Sequence, residues 1–302
     1  MKVLITGTTG QLGRALILTK PQKINSKHIT LITPERNQLD LSDHNQCKTF
    51  IEKETPDWII NSAAYTNVDK AEKEIEVAKS VNTRSIKLFT ESLIKNNGKL
   101  LQLSTDYVFE GSQNTPYKIY DIKNPINLYG KTKADAESII EEYLFPSNQG
   151  KILRTSWLIS PFGKNFVTSI IRLINDLDEL KVISDQIGSP TSAINLAYSC
   201  WKLIQKTEEG HDIPNIFHYS DSGTASWYDL AISIGEFSES LGLVQKQAKI
   251  IPIPSSEYPT AAKRPSYSIL ECLSSKRVLE LDHIHWRTSL KDIINHIANN
   301  KL

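Results

Sequence analysis

Short apolar runs bounded by polar turns alternate along this chain with longer stretches whose apolar residues recur at helical spacing. The runs Lys2–Thr6, His28–Thr33, Asp57–Asn61, Lys99–Ser104, Lys151–Thr155 and Ile216–Tyr219 read as strands. Between them the spacing predicts helices over Gln11–Thr19, Asp43–Glu54, Val77–Asn96 and Tyr129–Leu144. Helix and strand in alternation are the signature of parallel βαβ units with helices on both faces of a sheet. Right-handed crossovers then build an α/β fold with a doubly wound parallel sheet of the Rossmann type. Periodicity leaves the strand order open.

Beyond residue 156 the rhythm changes. Proline and glycine punctuate Ser160–Gly163, Gly188–Pro190 and Ile251–Pro254. Helices are expected over Phe166–Asp176, Ala193–Lys206, Trp227–Leu241 and Ser289–Asn299. This half reads as a smaller, loop-rich C-terminal substrate lobe over the strand ends, where open α/β sheets hold ligands. The expected division is a dinucleotide-binding domain over residues 1–158, rejoined by 189–212, with 159–302 forming mainly the substrate lobe.

Composition narrows the class. The 302 residues carry 35 basic and 34 acidic side chains with no long basic run, so nucleic acid is not an expected partner. Apolar stretches are strand-length, too short for a membrane span. The chain opens directly into a strand with no leader pattern, which points to the cytoplasm. Cys47, Cys200 and Cys272 are far apart and form no C-x-x-C pair, so neither a disulfide framework nor a structural metal is expected.

The chemistry begins at the first turn. Gly7-Thr-Thr9-Gly10-Gln11-Leu12-Gly13 follows an apolar strand and opens a helix, with its glycines spaced one residue wider than G-x-G-x-x-G. Gly7 permits the turn, Gly10 lets the backbone approach a pyrophosphate, and Gly13 lets helix and sheet pack closely. Amides at the helix start face the anion. At the end of the second strand Thr33 and Arg36 favour the 2′-phosphate of NADPH, while Glu35 leaves NADH open. Asp40 and Leu41 follow, with Asp40 either near the adenine or capping a helix.

Tyr129 and Lys133 stand four residues apart on a predicted helix and share one face. An ammonium beside a phenol favours the phenolate, so a lowered tyrosine pKa is expected. Upstream, the strand over Lys99–Ser104 runs into Thr105, a hydroxyl suited to a developing oxyanion. Together these features describe a nicotinamide-dependent redox enzyme.

The residues resemble the extended short-chain dehydrogenase/reductase family over essentially the whole chain. The resemblance rests on Thr6–Gly13, Asn61–Glu72, Ser104–Phe109, Tyr129–Lys133, Arg154–Trp157, Asp185–Thr191 and Arg264–Ser268. It implies reduction of the 4-keto group of dTDP-4-dehydro-6-deoxy-L-mannose, with Thr105, Tyr129 and Lys133 catalytic and Lys133 also holding the nicotinamide ribose. It implies cofactor contacts from Ala63, Ala64, Tyr65 and Thr66. Val68, Asp106, Tyr107 and Trp157 would line the sugar pocket, with Asn165, Gln186 and Arg264 as further substrate contacts. An arginine can grip a diphosphate bidentately. A homodimer is the assembly the resemblance allows. Ala15, Ile194 and His296 fall where some relatives place intersubunit glutamates, so no metal is carried over.

Three other functions compete. A 4,6-dehydratase of this family follows its threonine with Asp-Glu, whereas here Asp106 is followed by Tyr107. A nucleotide-sugar 4-epimerase, or another keto-sugar reductase, is excluded less firmly. A non-catalytic dinucleotide-binding regulatory subunit would have no need of Thr105, Tyr129 and Lys133.

Overall fold

The computed structural model describes residues 1–245 and 248–300. Six strands build the main sheet: β1 (Lys2–Thr6), β2 (Thr30–Ile32), β3 (Trp58–Asn61), β4 (Lys99–Thr105), β5 (Gly150–Thr155) and β6 (Ile216–His218). Their order is β2-β1-β3-β4-β5-β6, and every neighbouring pair is parallel. The chain leaves β1 outward to β2, then returns to the other side of β1 as β3. That reversal is the topological switch point where such sheets open a ligand crevice.

Among the described residues eight helices of eight residues or more frame the sheet and the lobe: α1 (Gln11–Leu18), α2 (His44–Glu54), α3 (Ser85–Asn96), α4 (Leu128–Tyr143), α5 (Phe166–Asp176), α6 (Ala193–Glu208), α7 (Trp227–Ser240) and α8 (Trp286–Asn299). Val3, Ile5, Leu101, Leu103 and Leu153 pack toward Leu12 and Leu16 of α1 and Leu196 and Cys200 of α6. Leu4, Ile59, Leu100 and Ile152 face the opposite layer, against Cys47, Ile51, Phe89 and Ile140 of α2, α3 and α4. Burial of both faces explains why these strands are near-continuously apolar. Helices α5, α7 and α8 form a separate core, with Ile170, Leu230 and Leu290 at its centre.

Three elements differ from the sequence expectation. The second strand is shorter than His28–Thr33, because Lys27–His28 pairs back on Lys23–Ile24 in a hairpin. Asn25 and Ser26 form its turn at φ 45° and 63°, the left-handed conformation such two-residue turns require. The helix expected over Val77–Asn96 is interrupted: Ile75–Lys79 is helical, Ser80–Arg84 is a π turn, and α3 follows. In the lobe, Glu179–Ile183 and Lys249–Ile253 form a parallel pair hidden in the sequence by lysines and by Pro252. No helix among the described residues is long and apolar enough to cross a membrane.

Candidate active site

A cleft of about 930 Å³ runs along the carboxyl ends of β1 to β5, and the switch point lies within it. Gly7 turns the chain off β1 at φ 67°, with Ala63 packed where a side chain would project. A Cβ on Gly13 would sit 2.2 Å from the Gly7 carbonyl oxygen, so only glycine lets α1 approach this closely. Thr9, Gly10, Gln11 and Leu12 line the cleft floor between them. Four buried side-chain atoms along this wall have no hydrogen-bond partner: Gln11 Oε1, Ser104 Oγ, Asp106 Oδ2 and Thr155 Oγ1. Buried polar groups are normally satisfied, so these mark a surface shaped for a polar ligand. A dinucleotide, with its ribose hydroxyls, amide and phosphates, fits that donor and acceptor set.

Helix α4 carries Tyr129 and Lys133, the pair expected to be catalytic. Asn127 caps it by accepting from the Gly130 amide at 2.8 Å, and its Nδ2 donates to the Lys263 carbonyl at 2.9 Å. The helix start is thereby fixed to the C-terminal lobe. Tyr129 lines the cleft together with Thr105. Burial pushes its phenol up to about 12, with the Thr105 hydroxyl opposing. This corrects the expectation of a lowered value, because the Lys133 ammonium turns to the Leu103 carbonyl at 2.6 Å. Burial pulls Lys133 down to about 8, and the Glu137 carboxylate pushes it back up. Near neutrality the phenol therefore holds its proton and the lysine is largely charged. Thr105 also donates to Asp106 at 2.9 Å and accepts from the Tyr107 amide at 3.1 Å. Asp106 is raised to about 6 by burial, opposed by hydrogen bonds from Ser268 and Thr105.

At the far end of the cleft Arg36 is exposed and its Nε donates to Asp40 at 3.2 Å. Asp40 is held below the usual carboxylate range, mainly by the Ser42 hydroxyl at 2.7 Å. Leu41 lines the same wall, as do Ala63, Ala64, Tyr65 and Thr66 after β3. Asp106 and Trp157 line the cleft, whereas Val68, Tyr107, Asn165, Gln186 and Arg264 are outside its lining. Tyr107 sits edge-on to Tyr129, ring centroids 6.0 Å apart.

Three substrate expectations take a different form. Asn165 caps α5: its Oδ1 accepts from the Val167 and Thr168 amides, and its Nδ2 donates to the Ser160 carbonyl at 2.8 Å. Its polar atoms are thus used within its own loop. Arg264 forks onto Asp69, at 3.2 Å and 2.6 Å, rather than facing open solvent. Gln186 is buried just beyond the Glu179–Ile183 strand. Trp157 stacks on Trp227 at 3.6 Å, nearly parallel, which occupies one indole face. Its backbone lies at φ 42°, a conformation costly for a bulky residue and characteristic of sites that fix a side chain's direction.

A family model described as the RmlD substrate binding domain matches residues 1–299. The dTDP-4-dehydrorhamnose reductase of Aggregatibacter actinomycetemcomitans is 35% identical, covering 97% of this chain and 98% of that protein. The chain belongs to the dTDP-4-dehydrorhamnose reductase family. A member of known structure from Clostridium acetobutylicum is 34% identical, covers 98% of this chain and 99% of its own, and superposes with a TM-score of 0.86. Another, from Bacillus anthracis and solved in complex with NADP, is 31% identical over 97% of this chain and 98% of its own, with a TM-score of 0.86. A UDP-glucose 4-epimerase from Thermotoga maritima is 15% identical with a TM-score of 0.78, a likeness of fold alone.

This reductase-family chain also supports its cleft with residues that sequence reasoning passed over. A polar belt crosses three strands: the Ala63 amide donates to Thr6 Oγ1 (3.1 Å), Thr6 to Asn61 Oδ1 (2.6 Å), and Asn61 to Gln102 Oε1 (2.8 Å). Gln102 in turn donates to the Leu103 carbonyl that receives Lys133. Asn82, in the π turn, accepts from the Tyr65 amide at 2.8 Å and donates to the Tyr65 carbonyl and to Thr132 Oγ1. The one available signal was polar residues at positions where the strand and helix patterns call for apolar ones.

Proposed function

We propose that the chain reduces the 4-keto group of dTDP-4-dehydro-6-deoxy-L-mannose to give dTDP-L-rhamnose. NADPH is the preferred cofactor and NADH is accommodated. When bound, the cofactor supplies hydride to the carbonyl carbon. Tyr129 gives its proton to the carbonyl oxygen, and a phenol that stays protonated to about 12 arrives at every turnover in the donor state. Thr105 turns its one hydroxyl proton from Asp106 to the same oxygen as negative charge grows on it. Lys133 stabilises the tyrosinate left behind and holds the nicotinamide ribose. Gly7, Thr9, Gly10, Gln11, Leu12 and Gly13 cradle the pyrophosphate, and Arg36, Asp40 and Leu41 take the adenosine end. Ala63, Ala64, Tyr65 and Thr66 pass beside the cofactor. Asp106 and Trp157, which line the cleft, contact the sugar, and Val68 and Tyr107 reach it from outside that lining.

The observation that carries this reading is that Thr105, Tyr129 and Lys133 all line one cleft at the switch point, with the Lys133 ammonium anchored on the Leu103 carbonyl at 2.6 Å. In this reading residues 1–158, rejoined by 189–212, hold the cofactor, and the remainder covers the substrate. A cytoplasmic homodimer is the proposed working form. The test is incubation with the keto sugar and each cofactor, with the product identified by NMR. Tyr129→Phe should lower kcat by roughly 10²–10⁴ while NADPH binding persists. Cofactor binding without turnover by the wild-type chain would favour a regulatory subunit instead.

A further inference from the structure

Trp157 lines the cleft, and two neighbours outside that lining hold it. Its indole stacks on Trp227, the first residue of α7, with ring centroids 3.6 Å apart and planes 6° from parallel. The same ring lies against the backbone at Gly188, where a Cβ would come within 2.5 Å of Cε2 and 2.6 Å of Nε1. Only glycine leaves room there for the indole. Both neighbours belong to one ribbon: Ile187–Gly188 pairs antiparallel with Ala225–Ser226, and Trp227 follows directly. Ser226 caps α7 by accepting from the Asp229 amide at 3.0 Å, and Phe166 of α5 lies 4.7 Å from the Trp227 ring. The Trp157 backbone is pinned as well. Its carbonyl accepts from the Thr191 amide at 3.0 Å, and the Ser156 hydroxyl donates to the Ser189 carbonyl at 2.8 Å. Pinning of this kind is what keeps a bulky residue at φ 42°. A tryptophan that only filled a core would need no such conformation, and this one is half-buried at the cleft wall.

We propose that Trp227 is a positioning residue for the sugar site: with Gly188 beside the ring, it holds the Trp157 indole in the one orientation that meets the hexose. Sugar affinity then depends on a residue that does not touch the sugar. The proposal rests on the reading of Trp157 as a sugar contact. Its physical basis is lost freedom. An indole free at a cleft wall samples several rotamers, and a ligand that needs one of them loses affinity by the fraction of time spent in the others. The aromatic contact with Trp227 and the close wall at Gly188 remove that loss before the sugar arrives. A change at either residue reaches the sugar through Trp157.

The test is calorimetric titration of dTDP-L-rhamnose into the full-length chain loaded with NADPH, a pairing that binds without reacting. The binding stoichiometry reports the folded fraction, so affinity is read on folded protein alone. Trp227→Ala should weaken the sugar about 3- to 10-fold and leave NADPH affinity unchanged. Trp227→Phe keeps an aromatic face and should recover most of that loss. Gly188→Ala, with both tryptophans present, should weaken the sugar to a similar degree by pushing the indole aside. It should also shrink the exciton couplet that two stacked indoles give in circular dichroism. A double-mutant cycle decides the route: in a Trp157→Ala background, Trp227→Ala should have no further effect on the sugar. The same fold-loss in both backgrounds, or unaltered sugar binding by Gly188→Ala, would overturn the inference and leave Trp227 a packing residue. Wild-type sugar affinity in Trp157→Ala would overturn it too, while the reductase reading stands on turnover. A wild-type chain that binds NADPH but no dTDP-L-rhamnose would defeat the proposed substrate, and this inference with it.

Discussion

Arg36 meets two competing anions, and their balance sets its worth as a cofactor reader. It is mostly solvated and already donates to Asp40 at 3.2 Å, so a 2′-phosphate must outbid a carboxylate for the same guanidinium. A charge-assisted hydrogen bond to phosphate is worth about 1.5–3 kcal/mol, and exposure puts this one at the low end. Arg36→Ala should therefore weaken NADPH about tenfold and NADH hardly at all, as measured by cofactor fluorescence titration. An equal loss for both would remove Arg36 from phosphate recognition. At this scale, residues whose chemistry is local were legible in the sequence: the glycines of the first turn, and Tyr129 with Lys133. Residues whose partners are distant were not. Nothing near Arg264 in sequence announces Asp69, 195 positions away, and a capping asparagine such as Asn165 looks like any polar loop residue.

The central strands of the sheet were legible because they are buried on both faces and so carry mostly apolar runs, whereas the edge strand β2, partly exposed, was legible only as part of a longer run. The π turn at Ser80–Arg84 was not, since the amphipathic pattern on either side continues across it. π turns are frequent at functional sites, and in this one Asn82 is buried. The Asn82 amide then fixes both backbone polar groups of Tyr65, on the loop that lines the cleft after β3. Asn82→Ala would leave those groups and Thr132 with fewer partners, costing about 1–3 kcal/mol of stability. The loop would also lose its anchor, so NADPH affinity should fall several-fold. Calorimetry and a cofactor titration on one preparation check both. A lowered Tm with unchanged affinity would make the π turn scaffold alone.

Across the whole molecule, one of the places where the two halves meet is a short stretch of the C-terminal lobe beside the start of α4. Asn127 holds the Lys263 carbonyl, Asp69 accepts from the Ala262 amide at 3.0 Å, and Arg264 forks onto the same carboxylate. Asp69 belongs to the short helix Val68–Ala71, directly after the loop that lines the cleft behind β3, so this ion pair couples one lobe to the other. Its carboxyl is held below the usual range, first by the Arg264 hydrogen bond. A depressed carboxyl contributes stability above its unfolded value of about 3.9 and loses it as pH falls through the folded one. The latch is thus closed at neutral pH and opens only in acid. Asp69→Asn keeps the shape but removes the charge. The pair is partly solvated, so the stability loss should be only about 0.5–1 kcal/mol. The larger effect belongs to the cleft: with the lobe less firmly seated beside Val68 and Tyr107, KM for the nucleotide sugar should rise while NADPH affinity holds. The wild type should lose the same advantage in substrate affinity only as pH falls through the depressed folded value of Asp69, beneath the ordinary carboxylate range, where the mutant and wild-type values converge. A mutant whose KM matches the wild type at pH 7 would show that the Asp69–Arg264 pair fastens the lobes without shaping the sugar site.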